Sequence, residues 1–380
     1  MRLLIPALLA TALFAQRSVT WEDRPGLELA NDKIALTVLP HGGAMVDLIL
    51  RDDHAKLSPL WNPVRMAREA GEPPRFGNSL GHFVCVDGFG PVSKEEQAAG
   101  MPGHGEAHTL PWETVSSGKQ GATLTVKFSV KLPLVQEIFT RTLRLVDGEQ
   151  VVYVESELEN LLAFDRPACW AEHATIGSPF LEAGRTVVDM SASRAKTRPY
   201  RPRPGPMAHR LASFVDFTWP MAPGAGGELL DIRAAPTTLG SGDHTTSLMD
   251  PARRLVWVTA LHPEKHLLLG YVFRREEFPW TQNWENYPKS GKLARGLEFS
   301  TMPFDVPRRE AVGTGTMLDA PTYRWLPAKS KIGAYFVMFY TRTPDGFRKV
   351  DEVTLEGGKL VIEDRAAGKR VTLAASLPGL

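Results

Sequence analysis

Short alternating runs of apolar and polar residues dominate the chain. Leu27 to Ala30, Ile34 to Leu39 and Met45 to Leu50 alternate or are β-branched, with His41-Gly42-Gly43 as a turn, and predict an opening meander. Val64 to Glu72 has the one short helical pattern of this region. Thr123 to Leu132, Gln136 to Val146 and Val151 to Glu159 read as three strands. The tight Asp147-Gly148 turn makes the last two an antiparallel hairpin. Leu255 to Leu261 and His266 to Phe273 form a second pair, followed by a strand over Gly296 to Met302. Ala334 to Tyr340, within Lys331 to Thr341, is apolar throughout and predicts a central strand. Short strands near Lys359 to Glu363 and Arg370 to Ala374 close the chain. No repeat and no long amphipathic helix interrupts this pattern. The chain reads as all-β.

Trp170 to Gly184 is the most informative stretch. It begins as a strand in which Cys169, Ala171, His173 and Thr175 share one face, and Gly177-Ser178-Pro179 ends it. His173 thus falls near a strand end, where an imidazole can be held at the mouth of a cleft. Phe76 to Glu113 lacks periodicity and reads as a long loop, a form that is more often functional than not. It carries Gly81-His82, Asp87-Gly88-Phe89-Gly90 and His104-Gly105-Glu106-Ala107-His108. Arg194 to Ala225 is basic and proline-rich and reads as a surface excursion.

Composition narrows the function classes. Apolar residues make up 43% and charged residues 23%, as in a soluble globular protein with a sizeable core. Lys and Arg total 44 against 43 Asp and Glu, and no basic block stands out, which argues against a nucleic-acid partner. Arg2 followed by the apolar Leu3 to Phe14 resembles a secretory leader cut after Ala12 or Ala15, too short to span a bilayer. The expectation is a signal peptide over 1–15, an exported periplasmic or secreted protein, and no membrane segment after cleavage. Cys85 and Cys169 are the only cysteines, so either one disulfide or two buried thiols is open.

Three segments carry candidate chemistry. His173 can exchange a proton near neutral pH. His104 and His108 are four apart, but Pro102-Gly103 before them and Pro111 after disfavour the helix that a zinc pair would need. His104 instead reads as a loop histidine aimed into a pocket, with Gly105 permitting a tight path. Glu298 alternates with Leu297 and Phe299 and so faces the other side of its strand. In a cleft, burial would raise its pKa and make it a base. Trp280, Trp284 and Tyr287 lie beside Asn283, Glu285 and Asn286, a mixture of flat apolar faces and polar groups that suits sugars. No nucleophile elbow and no phosphate-binding glycine loop is present.

Taken in order, a loop H-G (His104-Gly105), H-x-T-I-G-x-P-F-L (His173 to Leu181) and L-E-x-S-T-x-P (Leu297 to Pro303) resemble the aldose 1-epimerase, or galactose mutarotase-like, superfamily. The resemblance implies a large antiparallel β-sandwich over 16–380 as one domain, a sugar partner, and no metal or cofactor. It implies that His173 protonates the ring oxygen, Glu298 takes the anomeric hydroxyl proton and His104 helps to hold the sugar. Trp284, Asn283, Glu285, His82 and Arg75 are the candidate sugar contacts. The chain departs from the family in two places: its asparagine–arginine pattern ahead of the H-G loop is not clearly present, Arg75 and Asn78 being the nearest stand-ins, and for its substrate-binding aspartate Asp243-His244 is only a weak match. The same fold also serves binding proteins and polysaccharide lyases or hydrolases, so these remain alternatives.

Overall fold

The computed structural model describes residues 16–73, 77–200, 207–377 and 379. The leader-like stretch, Arg75 and the Arg201–Pro206 part of the basic segment lie outside the described residues. Strand accounts for 51% of the chain and helix for 7%. Two large antiparallel sheets, one of fourteen strands and one of eight, pack face to face over a shared apolar core.

The eight-stranded sheet contains the three predicted strands at Thr123–Leu132, Glu137–Val146 and Val151–Asn160, beside the long strand Lys331–Arg342. Alternation explains why that last strand is apolar throughout Ala334 to Tyr340. Phe336, Met338 and Tyr340 point into the core between the sheets. Tyr335, Val337 and Phe339 point the other way, under a small sheet formed by Glu352–Glu356, Lys359–Asp364 and Lys369–Ala374. A strand covered on both faces has no position left for a polar residue.

The fourteen-stranded sheet carries the site. Its middle runs through His82–Val86, Trp170–Gly177, the two short strands Ala294–Gly296 and Glu298–Ser300, Trp280–Tyr287 and Ser241–Met249. All of these but Trp170–Gly177 correct the sequence reading. The supposed loop from Phe76 contains the strand His82–Val86 and the short helix Lys94–Ala98. HFVCV is a continuous apolar run in a Gly- and Pro-rich setting, so it lacks the alternation that marks a half-buried strand. Ser241–Met249 and Trp280–Tyr287 were unread as strands because their buried positions include Asp243, His244, Gln282, Asn283 and Glu285. The predicted strand over Gly296–Met302 is broken into two short pieces around Leu297.

Side-chain parity divides this sheet cleanly. Trp170, Ala174 and Ile176 join the inter-sheet core, as do Val84, Val86, Leu297 and Phe299. Phe83, Cys85, Cys169 and Ala171 join a separate cluster on the opposite face, together with Phe89 from the following loop. Both cysteines are buried free thiols, so of the two alternatives the chain takes the second.

Candidate active site

A cavity of about 180 Å³ opens on that opposite face, lined by Trp61, Ser79, Phe89, His104, His173, His244, Trp284, Glu298 and Asp305. The three catalytic candidates thus meet in one place. His173 Nε2 lies 3.4 Å from Glu298 Oε1, while its Nδ1 is 3.0 Å from the Thr175 hydroxyl, two residues along the same face. The imidazole stacks on Phe83 with ring centroids 4.3 Å apart, which fixes its plane.

Glu298 is only 1% exposed, and its Oε1 has no hydrogen-bond partner. A buried carboxylate with an unsatisfied oxygen is costly and calls for an explanation. Burial, and then the nearby Asp305 charge, push its pKa well above the ordinary carboxylate value. Burial, and then His104, push the His173 imidazole well below its usual value. Both groups are therefore driven toward their neutral forms. Gly296 makes the space for this carboxyl: a Cβ there would fall 2.3 Å from Glu298 Oε1.

His104 is held by its backbone. It occupies the left-handed region at φ +66°, and Gly105 follows at φ +80° with no room for a Cβ, which would meet Val86 O at 2.1 Å. The Gly90 N–H donates to His104 Nδ1 at 3.2 Å, so the neutral ring carries its proton on Nε2. Its ring centroid is 5.1 Å from that of His173. Trp61 and Trp284 meet edge to face at 5.7 Å and supply the flat apolar walls.

The sugar contacts expected from sequence divide by the same parity. Trp284 lines the cavity, but its neighbours Asn283 and Glu285 point into the sheet interior. There Asn283 Nδ2 donates to Glu285 Oε1 at 2.9 Å, and Arg295 Nε donates to Asn283 Oδ1 at 2.7 Å. Arg210 also pairs with Glu285. His82 is likewise interior, 2.9 Å from Glu172, which accepts from Arg141 at 2.5 Å and Trp170 at 3.0 Å. Burial opposes ionisation of Glu172, but Arg141 and His82 outweigh it and hold the carboxyl below its ordinary value. Asp243 is taken up by Arg210, whose Nε donates at 2.9 Å, and Asn78 bonds to Arg24 and His41. These residues brace the sheet and do not face the cavity.

Sequence reasoning missed Trp61, Ser79, Phe89 and Asp305 as lining residues. The Asp87-Gly88-Phe89-Gly90 run and the Pro303-Phe304-Asp305 extension of the L-E motif were the available signals. Gly90, at φ +76°, serves both: a Cβ there would lie 2.6 Å from that of Asp305.

No family profile matches the chain, and no curated protein matches it in sequence. Solved structures do match. A candidate aldose 1-epimerase from Klebsiella pneumoniae subsp. pneumoniae aligns at a TM-score of 0.60 and 12% identity, over 84% of this chain and 80% of its own. A galactose mutarotase-like protein from Clostridium acetobutylicum aligns at 0.56 and 13% identity, over 86% of this chain and 98% of that one. A galactose mutarotase related enzyme from Lactobacillus acidophilus aligns at 0.55 and 12% identity, over 87% and 100% respectively. Fold and site together define an antiparallel β-sandwich with a histidine–carboxylate cavity on one sheet. That fold is the galactose mutarotase-like one.

Proposed function

We propose that this chain interconverts the α and β anomers of a free aldose by opening and reclosing the sugar ring. One observation carries the reading: a buried, unpartnered Glu298 oxygen faces His173 Nε2 across 3.4 Å in a small cavity walled by two tryptophans. The hydroxyl and the ring oxygen of a hemiacetal sit on the same carbon, so the base and acid that serve them must be close neighbours. The structural neighbours named as a candidate aldose 1-epimerase, a galactose mutarotase-like protein and a galactose mutarotase related enzyme support the same choice.

Burial favours the neutral form of both groups and so favours the pair's shared proton on Glu298. Passing it to His173 arms the pair. Glu298 then takes the proton of the C1 hydroxyl as the C1–ring oxygen bond breaks and C1=O forms. His173 gives its proton to the ring oxygen. After rotation about C1–C2 the ring hydroxyl attacks the other face of the aldehyde. His173 recovers a proton, and Glu298 returns one to the new C1 hydroxyl. Atoms and charges balance with side chains alone. In this reading His104, which lines the same cavity, helps to hold the sugar.

Replacing His173→Gln or Glu298→Gln should each lower the anomerisation rate by about 100-fold, the usual contribution of one acid or base. Full activity in either variant would overturn these roles. The leader-like Arg2 to Phe14 pattern supports an exported enzyme. Sequencing of the mature N-terminus should begin after Ala12 or Ala15, and an intact Met1 in the exported fraction would contradict this.

A further inference from the structure

Beyond the His173–Glu298 pair, the cavity has a second histidine–carboxylate pair that anomerisation does not use. His244 is buried, lines the cavity, and its Nε2 has no hydrogen-bond partner. Its Nδ1 lies 3.1 Å from Asp305 Oδ1 and 3.2 Å from Arg198 Nη1. The guanidinium is already committed to Asp305: Nη1 donates to Oδ2 at 2.7 Å and Nη2 to the backbone carbonyl at 2.9 Å. His244 Nδ1 is thus engaged from both sides, by the Arg198 guanidinium and by the Asp305 carboxylate, while Nε2 is left without a partner.

The ring is also held from its own strand. Tyr200 Oη accepts from the His244 backbone N–H at 2.9 Å and donates to the His244 carbonyl at 3.1 Å. Asp305 in turn is braced against Gly90, whose N–H orients His104. An imidazole positioned this firmly, with one nitrogen fixed by a carboxylate and the other left open toward a cavity, is built to meet a ligand group.

We propose that His244 Nε2 forms a hydrogen bond with one ring hydroxyl remote from C1, and that this contact makes the site selective for aldoses bearing that hydroxyl. The inference rests on reading the cavity as a sugar site. Asp305 and Arg198 are positioning residues for it. They hold the Nδ1 side of the imidazole and so fix the plane of its ring.

The test is binding of D-glucose, D-galactose and their 2-, 3-, 4- and 6-deoxy forms, followed by NMR titration of the full chain. With the unmodified protein, one deoxy position should weaken binding by about tenfold or more while the others change little. In His244→Ala that same deoxy sugar should bind as well as its parent, because the partner of the missing hydroxyl is gone. Asp305→Asn, which removes the charge beside Nδ1 and keeps the ring, should weaken the parent sugar and reduce the discrimination. The deoxy series on the unmodified protein keeps the proposal falsifiable even if a variant fails to fold. If the unmodified protein shows no position-specific loss, or if His244→Ala keeps the same discrimination, the inference is overturned while the sugar site stands. If neither parent sugar nor any deoxy form binds, the proposed function falls and takes this inference with it.

Discussion

Gly296→Ala tests the placement of the base without removing its charge. The glycine sits two residues before Glu298 and pairs with Thr175 of the His173 strand. Its φ lies outside the left-handed region, so alanine suits the backbone, and the strand should form as before. The added Cβ would stand 2.3 Å from Glu298 Oε1, 2.9 Å from Cδ and 3.1 Å from Cγ, whereas ordinary contact begins at 3.4 Å. The carboxyl must retreat by about 1 Å, and a misplacement of that size costs roughly 100-fold in rate. The assay is the anomer exchange rate from one-dimensional proton NMR, run beside a thermal melt. The expected result is a rate loss close to that of Glu298→Gln, with the melt changed far less than by a core substitution. A Gly296→Ala protein that folds and exchanges anomers at the unmodified rate would refute the claim that Glu298 acts from this position.

Two further expectations follow from the buried charges. Because His173 is depressed, it takes up an extra proton only below the ordinary imidazole value of 6.5; because Glu298 is raised, the pair gives up its last proton only well above 4.5. The acid limb of kcat/KM should therefore fall below pH 6.5, and an inflection at pH 6.5 would contradict this. Glu137 is fully buried, and burial, then the Asp87 charge, raise its carboxyl to about 9 despite Arg166. The folded chain holds a proton that the unfolded chain releases above 4.5, so this group's contribution is full below 4.5 and is lost as pH rises toward 9. Glu137→Gln cannot ionise and should lose less melting temperature between pH 6 and pH 9 than the unmodified protein. An equal loss would show that Glu137 is not the group responsible.

What the sequence disclosed follows from where parity could be read. The alternation around His173 and Glu298 was visible, so each was separated from the core-facing neighbours on its own strand, but that the two face one cavity was not legible from spacing. The apolar run at Ala334–Tyr340 was legible as a central strand because only a strand covered twice tolerates it. Parity failed where the strand itself went unseen. His82, Asn283 and Glu285 were expected at the sugar, yet each sits on a strand whose register places it inside the sheet. Trp284 survived because its own position faces out. His244 and Asp305 meet across sixty residues of chain, and no spacing rule joins a mid-strand histidine to an aspartate in a later loop. Their partnership is a product of tertiary packing alone.

The central claim is that the His173–Glu298 cavity opens and closes a sugar ring. It is tested most directly by polarimetry of freshly dissolved α-D-glucose and α-D-galactose with the purified protein and with Glu298→Gln. The account predicts that the unmodified protein brings at least one of these sugars to its anomeric equilibrium faster than buffer, and that Glu298→Gln loses the acceleration. No acceleration by the unmodified protein, on these and on a wider panel of aldoses, would contradict it.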